Sequence, residues 1–255
     1  MSTLGYILLF TFLGSIGSLI GGFILLAYEK LAFKMSHLLA SFAAGVLLAT
    51  AFFDLLPEAV DEADVSDANV FLWTFIGIVL FFLLERFIHW FHHHEDSLDH
   101  KERSKTTVPL IVIGDTVHNF MDGIVIAATF TVSIPLGMVT TFAVAVHEIP
   151  QEIGDFGLLL HKGVSRRKVV LINVFSAFSA FLGAILTFML GDILKGYIPL
   201  FLAVTAGFFI YIASSDLIPE IHHEKRKGFA VIESLLLIIG ALVIFISVSL
   251  LEPGH

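Results

Sequence analysis

The sequence predicts an all-α polytopic membrane protein, with eight transmembrane helices in a 3+2+3 arrangement and inverted repeats. Three observations predict it. The 255 residues are 57% hydrophobic, with 26 Phe and only 15% charged residues, and they form runs near the roughly 20 residues that a helix needs to span a bilayer. Every Lys and Arg except Lys195 lies in or beside an odd-numbered loop between those runs. One motif occurs twice, in runs that the basic residues orient oppositely.

The spans lie near 4–28, 37–57, 70–90, 108–131, 135–160, 169–190, 197–219 and 229–251, in one transmembrane domain covering 1–255. Backbone groups in lipid must be paired within the segment, so each run is expected to be helical. The first run carries no charge from Thr3 to Tyr28, which excludes a soluble helical bundle. It lacks a basic start and a small-residue cleavage site, so it reads as a true span and not a signal peptide. Gly14, Ser18 and Gly22 share one face of it, and Gly17 and Gly21 form a small-xxx-small pair, the pattern of close helix contact. Basic residues favour the cytoplasmic side. The odd loops therefore face the cytoplasm, including a His-containing loop over 91–107, and both termini face outside. The second loop is acidic, with Glu58, Asp61, Glu62, Asp64 and Asp67.

The repeat pairs "AGVLLATAFFDLLPE", from Ala44 to Glu58, with "AGFFIYIASSDLIPE", from Ala206 to Glu220. Ala-Gly, Asp nine residues after the Gly, then Leu, an aliphatic residue, Pro and Glu all match. The second span runs outward and the seventh inward, so the same motif appears in opposite orientations. That is the mark of inverted-topology transporters with a site near the midplane. The chain divides into three spans, two central spans and three spans.

The central spans carry the chemistry. The fourth contains "VHNFMDG", Val117 to Gly123, and the fifth "VHEIPQE", Val146 to Glu152. His118 and Asp122 are four residues apart, as are His147 and Gln151, so each pair shares a helix face. Both clusters fall at the middle of their spans, which puts them at one depth. Asp122, Glu148 and Glu152, if ionised and alone there, would together cost roughly 9 kcal/mol on insertion scales. No Lys or Arg in either span offsets this. Two imidazoles with carboxylates suit a borderline divalent cation such as Zn²⁺. Without cysteine, ligands must be His, carboxylate or amide. Pro150 has no N–H, frees the carbonyl of Val146 and bends the helix beside the site. Asp155, eight residues from His147 on the same face, marks a step toward the cytoplasm.

"HNFMDG" followed by "HEIPQEIGDF" closely resembles the ZIP (Zrt/Irt-like) family of metal-ion transporters, nearest the branch whose fifth span reads HEIPHE-x-GDF. The resemblance runs over most of the chain and includes "DLLPEA" closing the second span. It implies a 3+2+3 fold and a metal site, often binuclear, between the two central helices. It assigns His118, Asp122, His147 and Gln151 to one metal position, and Asn119 and Glu148 to an adjacent one with Asp122 bridging. Ser176, or Asn173 one turn earlier, takes the place of a sixth-span ligand. Gln151 departs from the branch's His, and an amide oxygen is a weaker, uncharged ligand. That weakens the case for a second bound metal.

Beyond the centre, "HWFHHHEDSLDH" (His89 to His100) holds a chelating group, with His92, His93 and His94 adjacent. A smaller group is His222, His223 and Glu224. Asp54 and Asp216 are the repeat-related acids, and Asp54 is expected on the uptake path. The leading expectation is a transporter moving Zn²⁺ inward by alternating access, with no enzyme activity. Fe²⁺, Mn²⁺, Co²⁺ and Cd²⁺ are further ions such a site accepts. The alternatives are an intramembrane zinc metalloprotease, because "HEIPQ" is one residue from H-E-x-x-H, and a metal sensor without transport. The implied partners are the metal ion and the bilayer, with a homodimer left open and no nucleic acid. The expected location is a cell membrane, of the bacterial inner-membrane kind, from the economy of the chain.

Overall fold

The computed structural model describes residues 2–63, 69–93, 100–191, 195–222 and 229–251. Among these the regular structure is helical and there is no strand. The helices are α1 (Thr3–Ala27) and α2 (Glu29–Ala63), α3 (Val70–His93), α4 (His100–Val132), α5 (Ile134–His161) and α6 (Arg166–Met189). They continue with α7 (Ile198–Leu217, prolonged by Ile218–His222) and α8 (Phe229–Leu251). Six of them are long and apolar enough, by length and composition, to cross a membrane: α1, α2, α4 over Ile111–Val132, α6, α7 and α8. Spans predicted at 70–90 and 135–160 are helical too, as α3 and α5. The centre of α5 is diluted by His147, Glu148, Gln151, Glu152 and Asp155.

Two of the expected loops differ from expectation. The second span was expected at 37–57, yet its helix starts at Glu29, straight after Tyr28. The first basic loop is therefore helix. Lysines at a helix end keep their charges in water while their stems lie along apolar surface, so they do not stop the helix. Likewise α3 continues to His93, and α4 begins at His100, so the expected loop over 91–107 is largely helical. His94 lies outside the described residues.

Local chemistry fixes the turn that matters most. Ser133 caps α5, accepting from the Leu136 N–H at 3.1 Å, with Pro135 in the first turn. At the other end Gly163 adopts φ +84°. Its N–H donates to the Leu160 carbonyl, and that of Val164 to Leu159, which closes the helix with a left-handed residue. Gly163→Ala is expected to cost about 1 kcal/mol, read as a melting temperature lower by about 2–4 °C.

Glycines set the helix pairs. A Cβ on Gly45 would strike the Leu237 carbonyl, and one on Gly240 the Phe42 carbonyl, so α2 and α8 touch backbone to backbone. Gly77 meets Val204, and Gly207 meets Thr74, across α3 and α7. Gly123 meets Ala180, and Gly183 meets Phe120, across α4 and α6. Gly21 meets the Ile149 carbonyl, and Gly22 the Phe156 ring, across α1 and α5. Gly17, expected to pair with Gly21, approaches only its own helix at Phe12. Among the described residues, every backbone approach at a glycine thus falls within α2/α3/α7/α8 or within α1/α4/α5/α6. The packing of α2 on α5 joins the two groups.

Both copies of the repeated motif contain a five-residue π-helical segment, Ala51–Leu55 in α2 and Ala213–Leu217 in α7. Pro57 and Pro219 follow two residues later. Each proline removes the N–H that would bond one turn back, and the helix re-forms its bonds with a wider turn. A third such segment, Phe12–Ile16, interrupts α1. The main apolar core, with Ile7, Leu47, Leu55, Ile126, Phe130, Val144, Leu202 and Phe209, fills the half of the bundle nearer the even-numbered loops. The outward faces carry exposed Phe71, Phe75, Phe175, Leu182 and Phe245, as a lipid-facing surface would.

Candidate metal centre

Ser133 lies fifteen residues after His118 and fourteen before His147. The tight turn there folds α4 and α5 back on one another, so the two histidines meet at the same level. Their Nε2 atoms are 3.2 Å apart. Glu148 Oε1 lies 3.2 Å from His118 Nε2 and 3.9 Å from His147 Nε2. Asp122 Oδ2 lies 3.8 Å and 3.7 Å from the same two nitrogens. One donor atom from each of these four residues falls within 4.8 Å of all the others. Tetrahedral Zn²⁺ with ligands at 2.0–2.2 Å separates its donors by about 3.3–3.6 Å. The arrangement is already close to that size.

The imidazole of His147 is fixed. Its Nδ1 lies 3.0 Å from the Ala143 carbonyl, an acceptor only, so Nδ1 carries the proton and Nε2 presents its lone pair to the centre. Rings wall both histidines: Phe81 of α3 stands edge-on to His118 at 5.8 Å, and Phe209 of α7 lies 6.3 Å from His147. His147 and Glu148 are each 1% exposed. Carboxylates this deep need a partner, and a shared cation would be one.

From the histidines a cavity of about 570 Å³ runs along Pro150, Gln151, Gly154, Asp155 and Leu158 of α5, with Asp115 and Ile111 of α4 opposite. Ser36, His37, Glu85 and Asp216 complete its wall. All of these lie on the odd-loop half of their helices. The half beyond the histidines is closed by the apolar core.

The other expected residues are distributed as follows. Gln151 and Asp155 line the cavity beside the histidines. Glu152 is 1% exposed, and neither of its oxygens has a hydrogen-bond partner among the described residues. Asn119 is fully buried and turned away from the cavity. Its amide nitrogen donates to Asp115 Oδ1 at 2.8 Å, and its oxygen accepts from Ser15 at 2.8 Å. Ser176 donates to Thr116 at 3.2 Å. Asn173 donates to the Val169 carbonyl of its own helix at 2.8 Å. Asp54 is buried in the π-helical segment of α2. His92 and His93 end α3, and their side chains lie outside those the structure describes. Asp115 was missed, although its place three residues before His118 and seven before Asp122 puts it on the same helical face. Ser15, on α1, has no such signal in the sequence.

The ZIP Zinc transporter family matches residues 3–109 and 92–247. The chain belongs to the ZIP family. Zinc transporter ZIP13 of Pongo abelii is 31% identical over 242 residues, covering 89% of this chain and 70% of that protein. Human zinc transporter ZIP10 is 32% identical over 161 residues, covering 58% of this chain and 19% of its own. Human zinc transporter ZIP4 is 42% identical over 112 residues, covering 43% of this chain and 17% of its own. The chain therefore spans less than a fifth of the ZIP10 and ZIP4 relatives, and most of ZIP13. ZIP proteins form a family of multi-pass membrane transporters and not of enzymes, and the metalloprotease alternative is not favoured.

Proposed function

We propose that this ZIP-family chain carries Zn²⁺ into the cytoplasm by alternating access around His118, Asp122, His147 and Glu148. The convergence of four donor atoms at the closed end of a cavity carries this reading. Two imidazoles and two carboxylates balance a dication and favour Zn²⁺, with Cd²⁺, Co²⁺, Fe²⁺ and Mn²⁺ as competitors. The basic residues of the odd loops orient the cavity mouth to the cytoplasm and both termini outside, so the conformation is inward-facing. Exit would run past Gln151 and Asp155. Uptake would pass Asp54. An adjacent second position would draw on Asn119, Glu148 and Gln151, with Glu152 near it and Ser176 or Asn173 from α6.

The 3+2+3 reading with inverted repeats is supported by the matched π-helical segments, and by glycine contacts that pair α2 with α8 as they pair α7 with α3. The two backbone-tight groups supply the moving parts: α1/α4/α5/α6 hold the centre, and α2/α3/α7/α8 form the body against which they shift.

The test is Zn²⁺ influx into proteoliposomes loaded with a Zn²⁺-sensitive dye, against empty vesicles, with the other four ions as competitors. Influx that Cd²⁺ suppresses more than Mn²⁺ supports the reading. Flux no greater than in empty vesicles, with protein inserted and folded, defeats it. Orientation has its own test, because the chain has no cysteine. A membrane-impermeant thiol reagent is expected to label Leu158→Cys from the cytoplasmic side only, and labelling from outside only would reverse the topology.

A further inference from the structure

The adjacent second position proposed above would draw on the amide oxygen of Asn119. In the structure that oxygen is engaged. Ser15 Oγ lies 2.8 Å from it and 2.9 Å from the Ala177 carbonyl, so the hydroxyl proton is shared between two acceptors on α4 and α6. On the other side of the amide, Asn119 Nδ2 faces Asp115 Oδ1 at 2.8 Å and the Asp115 carbonyl at 3.2 Å. Both are acceptors, so the nitrogen must be on that side and the oxygen must face Ser15. The residue is 0% exposed and does not line the cavity that His118 and Asp115 line. To ligate a cation its oxygen must leave Ser15.

The position of Ser15 is itself unusual. It sits in the π-helical segment Phe12–Ile16, which is followed directly by the 3₁₀ turn Gly17–Leu19. A widened turn shifts the residues within it relative to a regular helix, and here Ser15 meets α4 and α6 together. The hydroxyl of Ser18 donates back to the Ser15 carbonyl, which ties the two irregular turns together.

We propose that Ser15 and Asp115 form a latch that holds Asn119 in a non-coordinating pose, and that this latch keeps the centre mononuclear. Ser15 acts through Asn119 and is a positioning residue. The inference rests on the metal-centre reading, and its test separates the two.

Zn²⁺ bound per chain is measured by equilibrium dialysis on purified, monodisperse full-length protein. The His-rich segment is identical in every variant, so only differences between variants count. Ser15→Ala is expected to bind one more Zn²⁺ than wild type, and Ser15→Ala/Asn119→Ala is expected to return to the wild-type number. Should Ser15→Ala not fold, Ser15→Gly is measured in its place with the same expectation. An unchanged number in the single variant overturns the latch, as does a wild-type protein that loses one ion on Asn119→Ala alone. His147→Ala reports on the centre itself. If it loses no Zn²⁺, the metal-centre reading fails, whatever Ser15 does.

Discussion

Replacing His147 by alanine is expected to lower Zn²⁺ influx by ~100-fold or more, since outer-shell changes alone cost a metal site 10–100-fold. The geometry explains the size of the effect. His147 is wholly enclosed, its Nδ1 is held by the Ala143 carbonyl, and its Nε2 faces His118 at 3.2 Å. Alanine would leave Asp122 and Glu148 with a single imidazole between them. The measurement is dye-reported influx in proteoliposomes at matched protein content, with monodispersity as the folding control. His147→Gln keeps a neutral donor and is expected to retain part of the flux. Equal influx in wild type and His147→Ala would remove the centre from the transport path.

A second large effect is expected where helices meet at glycine. Gly45→Ala and Gly123→Ala each drive a methyl into a carbonyl on the facing helix, that of Leu237 and that of Ala180. Neither carbonyl belongs to a flexible side chain, so a whole helix must shift. Overpacking of this kind costs about 1–3 kcal/mol, and more where nothing can yield. Gly154→Ala is the contrast, because a Cβ there meets nothing within 4 Å. It is expected to gain up to about 1 kcal/mol from helix propensity. Thermal unfolding in detergent distinguishes the three. Equal melting temperatures for all of them would mean that the helix pairs are looser than their contacts imply.

The features legible in the sequence were periodic or compositional. Uncharged runs gave the helices, and the four-residue spacing of His118 with Asp122 put two donors on one face. The shared depth of His118 and His147 followed from the place of each at the middle of its run. Less legible were the ends of α2 and α4, because a charged residue at a helix end is compatible with both helix and loop. The role of Asn119 was obscured for a different reason. Its neighbour Ser15 is 104 residues away and reaches it through a π-helical turn that no spacing rule anticipates. Asp115 was within reach of the same periodicity that found Asp122, one turn before His118 on α4. Glu148 joined both histidines and Asp122, although the family resemblance had grouped Gln151 with them. Two neighbours on one helix can serve the same centre when the facing helix presents its donors between them.

The one-sided cavity has an electrical consequence. Where a solvent-accessible cleft penetrates to the histidines, little of the transmembrane voltage can drop along it. The field is concentrated across the packed half that contains Leu47, Leu55, Ile126 and Phe130. A dication crossing that half feels most of the membrane voltage, about 4.6 kcal/mol for two charges at 100 mV. Release through the cleft feels almost none. Voltage should therefore bias the step that closes the site to the far side far more than the step that releases the ion.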